Sequence, residues 1–371
     1  MSQSRLTAVA AAAIIASSLT CSGESPTETD DQTFAEKLQA SLENTLSAHS
    51  GTGVSAAVLV PGERPWLGVA GISYGSRAIT AQTIFGVSSI TKNYVATLVL
   101  DLAEQGLISL EDSLEEWLPK LQHIDGTITI RQLLGHTSGI YDCVENPAFW
   151  PTVLAEPARV WSPEEVIESF VEAPYFAPGA GFHYSNTGYL LLGMIVERAT
   201  GSSVSASLHA LLWDPLGFGS TLLDGEETIT GEVAHPWNHL DNDGMLDDLS
   251  LLPRTSTSSA TWTAGAIFAT AEELAEWAWA LFRGEVLGES ALNEMLTFNT
   301  SGYGLGTDSF GPEYFGVPAI GHVGSGAGYS GIMAYLSDLD TSIAVLMNDN
   351  NLDCLFATVS ALVEEIRSHT A

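Results

Sequence analysis

The 371-residue sequence predicts an α+β fold: an antiparallel sheet flanked by helices, built from the N- and C-terminal segments, with an all-helical lobe inserted between them. Three observations point there. β-rich runs fall near both ends of the chain, Val54 to Val60 and Trp66 to Ala70 on one side, and Ala319 to Gly324, Tyr329 to Leu336 and Thr341 to Met347 on the other. The middle of the chain carries its apolar residues at helical spacing instead. A composition of 45% hydrophobic residues with 35 glycines is that of a chain able to bury a core.

Each element has a local reason. From Thr33 to Ser50, the residues Phe34, Leu38, Leu42 and Leu46 recur every four positions, which predicts an amphipathic helix. Pro61-Gly62 separates the first two β runs at hairpin distance. A helix opening at Ser89 runs through the apolar stretch Tyr94 to Leu100 and ends near Gly106, and Leu107 to Leu118 reads as a turn and short helix closed by Pro119. Thr129 to Ile140 is a short helix entering a turn, with Gly139 as a left-handed stop.

Residues 141 to 180, rich in Pro, Trp and Phe, read as a loop, with a helix beginning near Ser162-Pro163-Glu164-Glu165, where a serine cap precedes proline and two acids. Helices follow over Tyr189 to Ala199 and Val204 to Trp213, the latter stopped at Asp214-Pro215-Leu216-Gly217. The stretch 220 to 260 reads as a solvated loop. Its Asp241-Asn242-Asp243-Gly244 has the look of a calcium loop, but His239 and Ser250 stand where acidic ligands are needed. Ala264 to Ala269 leads into a helix from Ala271 to Phe282, and a last helix covers Leu355 to Arg367. The folded domain is thus expected over 33–371, with its helical lobe within roughly 86–260.

The balance of 45 acidic against 12 basic residues gives a net charge of −33, which argues against nucleic acid or an anionic membrane surface as partner. The start of the chain, Met-Ser-Gln-Ser-Arg5 followed by apolar Leu6 to Ala16 and small Ser17 to Thr20, has the pattern of a secretory signal over 1–21, too short to span a bilayer permanently. Cys21 and the polar, acidic residues 22–32 resemble a bacterial lipoprotein junction and tether, although Ser18 and Thr20 depart from that pattern. Export to the periplasm or cell envelope, with a lipid on Cys21, and simple cleavage and secretion both remain open. Cys143 and Cys354 permit a disulfide without implying one.

The chemistry centres on Ser89-Ile90-Thr91-Lys92. Residues three apart on a helix share a face, so the Lys92 amine can reach the Ser89 hydroxyl. A serine is a poor nucleophile without a base beside it, and a helix N-terminus offers free N–H groups to an oxyanion. Taken alone, the pair is equally a capped helix carrying a surface lysine. His136 and Ser138, two residues apart in a turn, read as partners of backbone groups rather than as a catalytic pair.

Ser89-Ile90-Thr91-Lys92, then Tyr184-Ser185-Asn186, then His322-Val323-Gly324 resemble, in order, the three motifs of the penicillin-recognising serine hydrolases: class C β-lactamases, D-alanyl-D-alanine carboxypeptidases and related esterases. Leu133 to Gly139, Asp214 to Gly217 and Ala264 to Thr270 look like further landmarks of that family. The resemblance implies a β-lactamase/transpeptidase-like fold and an acyl-Ser89 intermediate, with Lys92 and Tyr184 sharing the base work. It places Asn186 on Lys92 or on the substrate amide, and gives oxyanion stabilisation to the N–H groups of Ser89 and Ser325. Gly324 then lets backbone approach the substrate. His322 stands where the β-lactamases carry lysine; a fractionally charged histidine recognises a substrate carboxylate more weakly, which shifts weight away from β-lactamase. The substrate implied is a small molecule or a peptidoglycan-derived peptide, with no cofactor and no metal. A D-alanyl-D-alanine carboxypeptidase-like or esterase activity is expected, with β-lactamase or a non-catalytic penicillin-binding protein as alternatives.

Overall fold

In a computed structural model that describes residues 32–239 and 245–370, seven strands form one antiparallel sheet. The signal, Cys21, all of the tether but Gln32, and Asp241-Asn242-Asp243-Gly244 lie outside the described residues. The strand order brings the ends of the chain together: Arg77–Ala78, Trp66–Tyr74, Gly53–Leu59, Thr341–Met347, Tyr329–Leu336, Ala319–Gly326 and Asp308–Phe310. Gly53–Leu59 pairs with Thr341–Met347 in the register Val54 to Met347 through Leu59 to Ser342, so the C-terminal hairpins complete the sheet begun at the N-terminus.

Alternation along these strands separates two cores. Val54, Ala56 and Val58, with Ile343, Val345 and Met347, face the helices Phe34–Ala48 and Leu352–Thr370. Ala57, Ala344 and Leu346 point to the other face, where Ala271–Phe282 covers them and the larger core continues into the helical part of the molecule. The period of two in a strand makes this division automatic once register is set. Thr33 caps the first helix, and Glu36 reaches back to its backbone in a capping box.

Two regions differ from the sequence reading. Within 141–180 a helix forms over Phe149–Ala155, ahead of the expected Pro163–Phe170. Within 220–260 the structure holds strand Leu222–Leu223, the pair Trp237–Asn238 and Asp247–Asp248, and the helix Thr255–Gly265. That helix begins Thr-Ser-Thr-Ser-Ser, residues that prefer caps to helix interiors and form no apolar stripe. Tertiary bonds override the propensity: Ser256 Oγ donates to Val153 O (2.8 Å) and accepts from Trp161 Nε1 (2.9 Å), and Ser258 Oγ donates to Asp224 Oδ2 (2.5 Å). Cys143 and Cys354 are both buried free thiols. None of the helices among the described residues is long and apolar enough to cross a membrane.

Candidate active site

The site lies where the sheet meets the helical part. Ser88–Ile90 forms a single 3₁₀ turn that runs into the helix Thr91–Glu104, a helix buried along nearly its whole length. Ser88 has φ +49°, an uncommon backbone for a residue with a side chain, and its Oγ donates to Gly326 O at 3.3 Å. The strand carrying His322 to Gly326 presses against this turn so closely that a Cβ on Gly324 would lie 2.1 Å from Val87 O. Only glycine permits that approach. Ser89, Asn186 and Ser325 line a cleft of about 490 Å³ whose apolar wall includes Trp150, Val153 and Phe268.

Lys92 is wholly buried, and its Nζ has three neighbours: Ser89 Oγ at 3.2 Å, Asn186 Oδ1 at 2.7 Å and Ala264 O at 2.7 Å. Ala264 lies in the last turn of its helix, where carbonyls have no intrahelical partner, and the helix is broken two residues earlier at Trp262 (φ 33°, ψ −118°). Burial lowers the Lys92 pKa to about 7, against the opposing pull of Asp142, Cys143 and Asp308. Two of the three neighbours, an amide oxygen and a carbonyl, can only accept. When Lys92 is neutral its two N–H bonds therefore go to those oxygens, and its lone pair is left for the Ser89 O–H.

Tyr184 stands beside this pair with its ring centroid 4.8 Å from Lys92 Nζ. Its hydroxyl is buried and makes no hydrogen bond. Burial raises the phenol well above its ordinary pKa, with the Ser89 hydroxyl acting in the opposite direction. Removal from water outweighs that pull, so the phenol stays neutral. Asn186 opens the helix Asn186–Thr200, and of its two expected roles the geometry shows the bond to Lys92.

His322 is arranged differently from the expectation. Its Nδ1 lies 2.7 Å from Val323 O, an acceptor, so Nδ1 carries the proton, and Nε2 accepts from the Tyr303 hydroxyl at 3.1 Å. Burial lowers its pKa, opposed by Asp308. The ring is neutral, 2% exposed at the residue level, with both nitrogens engaged, and it offers no cation to a substrate. His136 and Ser138 bond backbone groups, as read: His136 Nδ1 accepts from Ser185 N–H at 3.1 Å, and Ser138 Oγ from Ile140 N–H at 3.3 Å.

The sequence reading missed three features of the site. Ser88 carries the strained turn, and Ala264 supplies a backbone acceptor that no side-chain pattern announces. Asp142 binds Asn186 through its backbone N–H (3.1 Å) and its Nδ2 (2.9 Å and 3.2 Å). Its place three residues after Gly139 was visible, but its partner, 44 residues on, was not.

The Beta-lactamase family model matches residues 31–362. Penicillin-binding protein 4* of Bacillus subtilis is 28% identical over 43% of this chain and 35% of its own length. The esterase EstB of Burkholderia gladioli is 32% identical over 51% of each chain. The chain thus spans about a third and about half of the length of these two relatives. Among solved structures, a D-stereospecific amidohydrolase from Streptomyces sp. superposes with a TM-score of 0.74 at 31% identity, covering 85% of this chain and 94% of that one. With three motifs converging on one cleft and a match along nearly the whole described chain, the protein belongs to the Beta-lactamase family.

Proposed function

We propose that the protein is a metal-free serine hydrolase that acts on ester or amide bonds through an acyl-Ser89 intermediate. One observation carries this reading: a fully buried Lys92 whose Nζ rests on two acceptors at 2.7 Å and lies 3.2 Å from the Ser89 hydroxyl, where its remaining lone pair is directed, with burial lowering its pKa to about 7. Lys92 takes the Ser89 proton as Oγ bonds to the substrate carbonyl carbon, and the displaced π pair makes an oxyanion. The N–H groups of Ser89 and Ser325 receive it. Collapse expels the alcohol or amine, to which the Lys92 ammonium returns the proton, while the neutral Tyr184 hydroxyl keeps its proton and donates only a hydrogen bond to the departing atom. Water then attacks the acyl group by the same route and regenerates Ser89.

Between the finer substrates, an ester is favoured over a D-alanyl-D-alanine peptide, because neutral, doubly bonded His322 supplies no charge for a terminal carboxylate. The apolar cleft wall supports the same choice. We also propose that the leader exports the chain to the cell envelope or beyond.

Intact-mass measurement after incubation with an activated ester and, separately, a penicillin tests the reading. The parent should gain one acyl group or release product, and Ser89→Ala should do neither. Labelling or turnover that persists in Ser89→Ala overturns the nucleophile assignment. Rapid turnover of penicillin points to β-lactamase, and a stable penicilloyl adduct to a peptidase.

A further inference from the structure

Asn186 can serve Lys92 only if its amide presents oxygen, not nitrogen, to the amine. Nothing in the amide itself enforces that, since the two ends are nearly the same size. The structure enforces it from behind. Asp142, 4% exposed, accepts from Asn186 Nδ2 with both carboxylate oxygens, at 2.9 Å and 3.2 Å, and from the Asn186 backbone N–H at 3.1 Å. It also accepts from Val144 N–H at 3.2 Å. Every one of these partners is a donor, and together with the Lys92 charge they favour the carboxylate against burial, which pushes the Asp142 pKa up; a carboxylate can only accept. The nitrogen end of Asn186 must therefore face Asp142, and its oxygen end must face Lys92.

We propose that Asp142 is a positioning residue for the hydrolysis: through Asn186 it fixes the acceptor on which the Lys92 amine rests, and its charge governs when that amine carries a proton. This rests on the reading of Lys92 as the base. Asp142 touches neither Ser89 nor the cleft and acts through the amide. Its contribution is electrostatic as well as steric. Of the groups that oppose the effect of burial on Lys92, Asp142 is the foremost, ahead of Cys143 beside it and Asp308 from the neighbouring strand. The other titratable groups facing the amine are His136 and His322, both held neutral by burial, and the rings of Tyr184 and Tyr189 at 4.8 Å and 5.6 Å. On its own side Asp142 meets Tyr175, whose hydroxyl accepts from the Asp142 N–H at 3.2 Å and donates to Glu145 Oε2 at 2.5 Å.

The sign follows from the geometry. Asp142→Asn removes the negative charge and frees the Asn186 amide to rotate, turning N–H toward the amine. Both changes disfavour the ammonium. The acidic limb of kcat/KM against pH, measured with an activated ester, should move to lower pH by about one unit. The double variant Asp142→Asn with Asn186→Asp puts the charge on the residue that touches Lys92, and its limb should move above the parent's. A limb that stays in place in Asp142→Asn, whatever the fall in rate, overturns the proposal. Should that variant fail to fold, an unmoved limb in the double variant overturns it equally. Lys92→Met separates the two levels. If it retains the parent's rate and limb, the base assignment itself fails; if it abolishes turnover while the Asp142 variants leave the limb unmoved, only the role of Asp142 fails.

Discussion

The sheet with its two terminal helices and the wall of the cleft are built on opposite terms. In the sheet, neighbours in sequence decide what is buried: strand alternation sends Ile343, Val345 and Met347 to one core and Ala344 and Leu346 to the other. In the wall, residues about 100 positions apart decide it. Helix Thr255–Gly265 is held by Ser256 on Val153 and Trp161, and by Ser259 Oγ, which accepts from Trp161 N–H at 3.0 Å. The framework is thus stabilised mainly by apolar burial, and the wall is placed by polar bonds with a defined geometry. The contrast teaches that stability and substrate fit are separable here, with Lys92 at the seam.

The largest effect expected is at that seam. Lys92→Met should lower kcat/KM by about 10³-fold, the range of a lost general base, with the fold kept. In the parent, activity should rise as pH increases through about 7, because Lys92 must shed its proton before it can accept one from Ser89. The same group has a stability signature. Its folded pKa lies below the ordinary 10.5, so between about 7 and 10.5 the unfolded chain binds more protons. Stability from this group therefore rises with pH across that window, and Lys92→Met should flatten the rise. Urea unfolding at several pH values, beside the rate profile, checks both. A profile centred well away from 7 in the parent would break the assignment.

Next in size is a cut in the framework. Ile343 is fully buried between the sheet and the terminal helices. Ile343→Ala should cost about 2–5 kcal/mol by urea denaturation and leave kcat and KM of the folded fraction unchanged. In the wall, Ser256→Ala orphans the Trp161 N–H and frees the Val153 carbonyl. It should cost less, about 1–3 kcal/mol, yet raise KM, because Val153 lines the cleft. If Ile343→Ala changes KM, or Ser256→Ala leaves it untouched, the separation of stability from fit is lost.

This division also explains what could be read from the chain. Helix Ala271–Phe282 and strands Tyr329–Leu336 and Thr341–Met347 occupy the bounds that periodicity predicts, since their buried faces are local patterns. The first half of helix Thr255–Gly265 falls in the 220–260 stretch that reads as solvated loop, since its Ser/Thr-rich sequence is held helical by partners distant in sequence that meet its hydroxyls. The site divides the same way. Ser89 and Lys92 are one turn apart and announce themselves, and Tyr184 and Asn186 follow from the motif. Asp142, the Ala264 carbonyl and the two bonds that engage the His322 ring nitrogens exist only once the chain is folded.

The smallest effects come from one motif used in both regions. Thr33 caps the framework helix Phe34–Ala48, and Ser162 caps the helix Pro163–Phe170, which packs behind the wall helix Thr255–Gly265; each accepts from the backbone N–H three residues on, at 3.3 Å and 3.2 Å, with a glutamate closing the box. Either change to alanine should cost about 1 kcal/mol. Their consequences should differ. Thr33→Ala frays a helix end far from the cleft and should leave kinetics unchanged. Ser162 directly follows Trp161, whose backbone and indole N–H groups hold helix Thr255–Gly265 through Ser259 and Ser256. Loosening the cap should transmit to that wall and raise KM by a small factor at constant kcat. Equal KM values in the two cap variants would show that the wall is held without Trp161, and that the polar bonds credited with placing it are not what places it.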